Sequence, residues 1–259
     1  MLIIFYKKRL KKCLAVLLAL ILSIGVVYYF SDANYDADLV SSEVKALPIY
    51  KVDCAEPKIA ISFDASWGAE HTKKLLEVLD EYNVKATFFL VNIWLDDYPD
   101  MAREIAARGH EIGLHSVSHP HFTELNKEQM TSELFDNAAK IEDITQVRAK
   151  LFRPPFGDYN NTVINTVNSL GFVPVQWSID SLDWQDLTSD QICQRVIPKA
   201  AAGEIILFHN NGLHTVEALP LILQSLDASG LHCVPVGQLI YYENYYIDCN
   251  GIQKLNINN

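Results

Sequence analysis

His115 and His119, four residues apart in the segment HSVSH, can chelate one divalent cation if the segment curls into a turn. Two such imidazoles also serve as ordinary turn or core residues, so the pair gains meaning only from its company. Asp64 in SFDASWG follows the apolar run Ile59-Ala60-Ile61. A lone Asp there caps a turn or supplies a base. Arg153 in RPPFG sets a cation on a rigid turn, able to pair with a nearby acid. Asp183 and Trp184 in DSLDW, and His209 at the end of IILFH, add another carboxylate, an aromatic wall and a third imidazole. Two histidines, acids of separate origin, an arginine and a further histidine resemble the equipment of metal-assisted hydrolysis. A nucleophilic mechanism fits worse, because no G-x-S-x-G elbow occurs and no cysteine neighbours these residues.

Elements that would position these groups alternate regularly. Runs rich in β-formers occupy 58–63, 84–91, 110–115, 150–152, 172–177, 204–208 and 231–236. Helix-period segments lie between them at 71–82, 126–144, 159–170, 188–198 and 215–229. Asn126 and Thr188 stand where helix-starting caps are expected. This rhythm predicts an α/β fold of about seven parallel strands, either an open doubly wound sheet or a distorted (β/α) barrel. No GxGxxG or GxxxxGK[ST] follows the first strand, which favours the barrel. Asp64, His115, His119, Arg153, Asp183 and His209 all fall just past the carboxyl ends of strands. A parallel barrel gathers those ends on one face, where such folds do chemistry.

Bulk properties bound the partners. Lys7, Lys8, Arg9, Lys11 and Lys12 are the only charges in the first thirty residues. Setting those five against the net −11 leaves −16 for residues 31–259. So acidic a body repels a phosphate backbone and excludes nucleic acid as a natural partner. The uncharged residues 13–30 would span about 27 Å as a helix at ~1.5 Å per residue. With basic residues before it, this segment predicts a membrane anchor with its N-terminus cytoplasmic and the rest extracytoplasmic. The alternative is a secreted form cleaved near Ser31-Asp32-Ala33. The expected organisation is therefore an anchor at 1–30, a spacer at 31–56, a domain at 57–242 and a C-terminal tail at 243–259. Cys54 and Cys249 flank the domain and are placed to staple its ends, whereas Cys193 and Cys233 read as buried thiols. No CxxC or Cys/His spacing points to a structural zinc knot.

Residues 58–241 resemble the polysaccharide deacetylase domain, the NodB-homology or carbohydrate esterase family 4 fold. The resemblance rests on SFDA, HSVSH, RPPFG, DSLDW and LFH, in that order. The nearest likeness is to the membrane-anchored, sporulation-associated branch of Gram-positive bacteria. It implies a distorted barrel that removes N-acetyl groups from a cell-wall glycan with the help of one divalent ion, zinc foremost, with cobalt or manganese as alternatives. It further implies that His115 and His119 hold the ion, that Asp64 is the general base and that Arg153 keeps it ionised. His209 becomes the general acid, oriented by Asp183. The backbone of Phe156 helps hold the oxyanion, and Trp184 and Leu207 wall the acetyl methyl. In the family pattern the residue after the base is a second Asp, the third metal ligand; this chain has Ala65. That departure predicts a weakly held ion. It also keeps a second reading open, a catalytically feeble protein that binds glycan or organises a wall or spore assembly.

Overall fold

The structure, a computed structural model, describes residues 14–26 and 45–256. The chain divides into two units, Met1–Val44 and Lys45–Asn259. In the first, residues 14–26 form helix α1. These thirteen residues rise about 20 Å at ~1.5 Å per residue, short of the roughly 30 Å of a hydrocarbon core. No helix among the described residues is long and apolar enough to cross a membrane. This overturns the single-pass anchor and the membrane placement expected from residues 13–30. The basic cluster, Cys13, residues 27–30 and the cleavage-like site at 31–33 lie outside the described residues.

The second unit begins with β1 (Lys51–Val52), followed by the long central strand β2 (Lys58–Ala65). Six further strands complete a parallel sheet with β2: β3 (Thr87–Leu90), β4 (Glu111–Leu114), β5 (Leu151–Phe152), β6 (Val173–Pro174), β7 (Ile179–Asp180) and β8 (Ile205–His209). Their order is β6-β5-β4-β3-β2-β8-β7, and β9 (His232–Val234) pairs with the first half of β2. The terminal strands β6 and β7 do not pair with each other. The sheet is thus a curled half-barrel, open between these two strands.

Alternation along β2 decides what faces the site. Ile59, Ile61, Phe63 and Ala65 join the larger apolar cluster beneath the helices, while Ala60 joins a second cluster with Phe89, Leu151, Val175 and Ile205. With period two, Ser62 and Asp64 turn to the same face as Ala60. Phe63 stacks on its register neighbours Phe88 and Phe208, with ring centroids 4.9 and 5.7 Å away. This layer braces the strand end one residue before the carboxylate.

Helices α2 (Thr72–Glu81), α5 (Lys127–Thr145), α6 (Asn161–Ser169), α7 (Ser189–Val196) and α8 (Thr215–Ala228) match the helical segments read from the sequence. Both expected caps form reciprocal boxes, Asn126 with Gln129 and Thr188 with Gln191, which satisfy otherwise orphaned N–H groups. Helices α3 (Asn92–Asp97) and α4 (Pro99–Ala107) fill a connection to which no helix was assigned.

The ends of the domain differ from expectation. β1 pairs in parallel with β11 (Ile252–Leu255), which pairs antiparallel with β10 (Tyr245–Ile247). Ile49 also bridges to Val175 and is fully buried. Residues 45–56 and 245–255 are therefore parts of the folded unit, not a spacer and a tail. Cys54, Cys193, Cys233 and Cys249 are free thiols.

Candidate active site

Asp64, next to last in β2, lies on the inner face and is almost fully buried. Arg153, wholly buried, donates from Nη1 to its Oδ1 at 2.7 Å. The other arm of the guanidinium donates to Ser62 Oγ (2.9 Å) and the Gln176 carbonyl (3.1 Å). The plane also covers the Phe89 ring, with Cζ 4.1 Å from its centroid. Burial pushes the Asp64 carboxyl up, but the charge of Arg153, helped by His115 and His209, outweighs it and holds the group below the usual range. Asp64 is thus an anion at neutral pH.

Arg153 also holds the first histidine. Its backbone N–H donates to the Leu114 carbonyl, and its own carbonyl accepts from His115 Nδ1 at 2.8 Å. That bond requires the proton on Nδ1 and leaves the Nε2 lone pair free, 3.6 Å from Asp64 Oδ2. The His115 and His119 rings lie with centroids 5.0 Å apart. Burial lowers the pKa of both histidines, that of His119 to about 4, so both are neutral at physiological pH. The connecting loop is tightly wound: Ser116 and His119 have φ of 81° and 55°. Asn137 of α5 supports it, accepting from the His115 and Ser116 N–H groups at 3.0 and 3.1 Å. One turn earlier on α5, Glu133 accepts from the Val117 and Ser118 N–H groups.

Asp183 is fully buried and accepts three hydrogen bonds: from His209 Nδ1 (2.8 Å), the His209 N–H (2.8 Å) and Thr215 Oγ1 (2.7 Å). Only glycine fits at position 212, where a Cβ would stand 2.1 Å from Thr215 Oγ1 and 2.8 Å from Asp183 Oδ2. Burial pulls the His209 pKa down, but the hydrogen bond and charge of Asp183 raise it further, so it ends above the usual imidazole range. Asp64 and His209 are register partners on the adjacent strands β2 and β8. An anionic carboxylate and a readily protonated imidazole thus stand side by side at one rim.

The remaining expected residues surround this pair. Leu207 is buried two residues below His209 on β8. Trp184 is exposed at the rim. Phe156 adopts φ 59°, and its N–H donates to no acceptor among the described residues.

Ala65 is fully buried in the helix-facing cluster. Among the described residues, no three His, Cys, Asp or Glu side chains gather into a metal-binding group. The two neutral imidazoles nevertheless suit a divalent ion, since His115 turns a free lone pair inward and His119 Nδ1 is buried without a partner. The donor set therefore fits such an ion through two histidines and lacks a third protein ligand.

Asn137, Glu133, Ser62 and Thr215 escaped the sequence reading. Asn137 alone left a signal, because it interrupts the buried stripe Met130, Leu134, Ile141 on α5. A buried amide in an apolar stripe implies obligatory partners.

A clamped base beside a clamped acid, at the strand ends of a curled parallel sheet, is hydrolase architecture. Residues 51–175 match the family described as polysaccharide deacetylase. A peptidoglycan-N-acetylglucosamine deacetylase of Bacillus cereus is 31% identical over 200 residues, covering 75% of this chain and 93% of that protein. The uncharacterized protein YlxY of Bacillus subtilis is 32% identical over 214 residues, covering 79% of this chain and 67% of its own. Among solved structures, the wild-type CE4 family pseudoenzyme BA3943 of Bacillus anthracis superposes with a TM-score of 0.72 at 28% identity, over 76% of this chain and 70% of that one. A BA3943 mutant described as having restored enzymatic activity is equally similar in fold, at TM-score 0.72 and 29% identity, over 76% of this chain and 72% of that one. The chain belongs to the polysaccharide deacetylase family.

Proposed function

We propose that this protein hydrolyses N-acetyl groups from a peptidoglycan-type N-acetylhexosamine glycan, and that its metal site is weakened at Ala65. The observation that carries the proposal is the pairing of Asp64, clamped by Arg153, with His209, clamped by Asp183, on neighbouring strands. Amide hydrolysis needs a base for water and an acid for a poor leaving amine, and these two groups occupy the corresponding protonation states. Asp64 accepts the proton of the attacking water. Protonated His209 delivers one to the departing nitrogen. The Phe156 N–H serves the developing oxyanion. Trp184 and Leu207 border the acetyl methyl. A divalent ion held by His115 and His119 would add Lewis acidity at the carbonyl. The similarity to a named peptidoglycan-N-acetylglucosamine deacetylase supports the substrate class.

Ala65 favours a second reading, a glycan-binding relative of little activity, and the likeness to a pseudoenzyme supports it. Ala65→Asp separates the two. Without metal, the variant buries an unpaired carboxylate and melts at lower temperature than the wild type. Position 65 is the last of β2, and if the new carboxylate turns out of the helix-facing cluster toward His115 and His119, added zinc restores the stability and calorimetric titration finds zinc bound about 10–100-fold more tightly than by the wild type. Equal affinities in the two proteins would show that another group already completes the site. A melting temperature of the variant unmoved by zinc would show that position 65 does not reach the ion.

A further inference from the structure

The turn that follows Arg153 is strained. The Gly157 N–H donates to the Pro154 carbonyl at 3.0 Å, so Pro155 and Phe156 are its two central residues. Phe156 takes the second central position with φ 59° and ψ 6°, a place that normally falls to glycine because a side chain there crowds the backbone. Gly157 continues the left-handed path at φ 67°. Such a turn keeps its shape only where flanking contacts impose it.

Those contacts lie just downstream, and their partners come from far along the chain. Asp158 accepts from Thr123 Oγ1 and pairs with His121 Nδ1 at 3.1 Å, which ties the turn to the connection after β4. Tyr159 is held from the opposite end of the sequence. Tyr50 Oη donates to Tyr159 Oη at 3.0 Å, and the two rings meet edge to face with centroids 6.4 Å apart. Four residues before Tyr50, the Ala46 N–H donates to Asn161 Oδ1 at 2.9 Å. The Ile49 N–H donates to the Pro174 carbonyl at 3.0 Å, and the Ile49 carbonyl accepts from the Gln176 N–H at 2.7 Å. Residues 45–50 thus run as a strap past the start of α6 and along β6.

Tyr50 has little room to move. Its N–H donates to the Gly251 carbonyl at 2.9 Å, and a Cβ on Gly251 would stand 2.4 Å from ring atom Cδ2. The ring is therefore wedged against the turn between β10 and β11. Burial, and then the Tyr159 hydroxyl, push the Tyr50 pKa up, so the phenol keeps its proton and remains a donor. Two phenylalanines would fill the same half-buried space. What the hydroxyls add is direction: they fix Tyr159, three residues after Phe156.

We propose that Tyr50 and Tyr159 are positioning residues, whose hydroxyl pair lets the small sheet of β1, β11 and β10 brace the Pro154–Gly157 turn and hold the Phe156 N–H in place. They act through the turn and not on the reacting atoms. The catalytic consequence rests on the proposed deacetylase reading; the brace rests on the contacts alone.

The test follows hydrogen exchange of the Gly157 and Asp158 amides, both bonded within the turn, by NMR on the full chain without substrate. Acetate release with zinc is measured separately. Tyr50→Phe and Tyr159→Phe each raise the exchange about tenfold, the worth of one net hydrogen bond. The double variant goes no further, because either substitution already breaks the shared bond. Tyr246→Phe, an exposed ring of β10, changes nothing. In acetate release, kcat falls about tenfold in either single variant while KM and the limbs of the pH–rate profile stay put, a split that general loss of stability does not produce. Unchanged exchange in the single variants, or additive effects in the double, overturns the brace. Release by the wild type with kcat untouched in both variants overturns the positioning role. Raised exchange in the variants with no release from the wild type sinks the deacetylase reading alone and leaves the brace standing.

Discussion

Arg153→Met lowers the unfolding free energy by about 3–5 kcal/mol, because it strands the Asp64 carboxylate in a buried site without its cation. The loss exceeds that of an ordinary buried pair member, since the guanidinium also serves Ser62 and the Gln176 carbonyl and packs on Phe89. Methionine keeps much of the stem volume, so a cavity contributes little. Removing the stranded charge as well, in Asp64→Asn/Arg153→Met, recovers a measurable part of the loss. Urea denaturation of wild type, both single variants and the double variant at neutral pH closes the cycle. A single-variant loss below about 1 kcal/mol would show that Asp64 stays solvated or neutral, against a buried ion pair.

Asp183→Asn lowers acetate release by about 10²–10⁴-fold, the range assigned to general acid–base groups. It also moves the alkaline limb of the pH–rate profile to lower pH. The sign follows from the balance at His209, where burial favours the neutral ring and Asp183 favours the charged one. In the wild type Asp183 holds the His209 pKa above the usual imidazole range, so the acid persists to higher pH than it would without that carboxylate. The stability gained from that charge is fully present below the unfolded pKa and is lost as pH rises through the folded one. In the Asp183→Asn variant the burial contribution is left unopposed, the folded pKa falls, and the acid is lost earlier on the alkaline side. An unchanged limb together with a lower plateau would assign the limb to another group.

Much of this site is legible in the sequence because each chemical group directly follows a strand. Asp64, His115, Arg153 and His209 sit at the first positions after, or the last positions of, β2, β4, β5 and β8, so a correct strand reading also brings them to one rim. Asp183 and Trp184 instead follow β7, a two-residue strand that the single run read at 172–177 did not include. The supports were harder to see. Asn137 and Glu133 lie on α5 and act on a loop some twenty residues earlier, a relation set by packing and not by local pattern. The sheet of β1, β11 and β10 joins residues about two hundred positions apart through strands of two to four residues, too short for alternation to register. Helices α3 and α4 are separated by Tyr98 and begin again at Pro99, which breaks any single helical period across 92–107. At the other end of the chain, a run of apolar residues read as an anchor is matched among the described residues only by a short helix. The orientation of Ala65 was equally hidden: the sequence places it beside Asp64, whereas the pleat sends its methyl into the helix-facing core.

The most direct test of the deacetylase assignment is acetate release from an N-acetylated glycan by the full-length wild-type protein, with and without added zinc. Clamped acid and base, with an ion held by His115 and His119 as proposed, predict slow release that rises with zinc and stops under mild chelation. Release unaffected by chelation would contradict a role for the ion. No release at saturating zinc, from a protein that still binds the glycan, would contradict the deacetylase assignment and leave a glycan-binding protein built on the same fold.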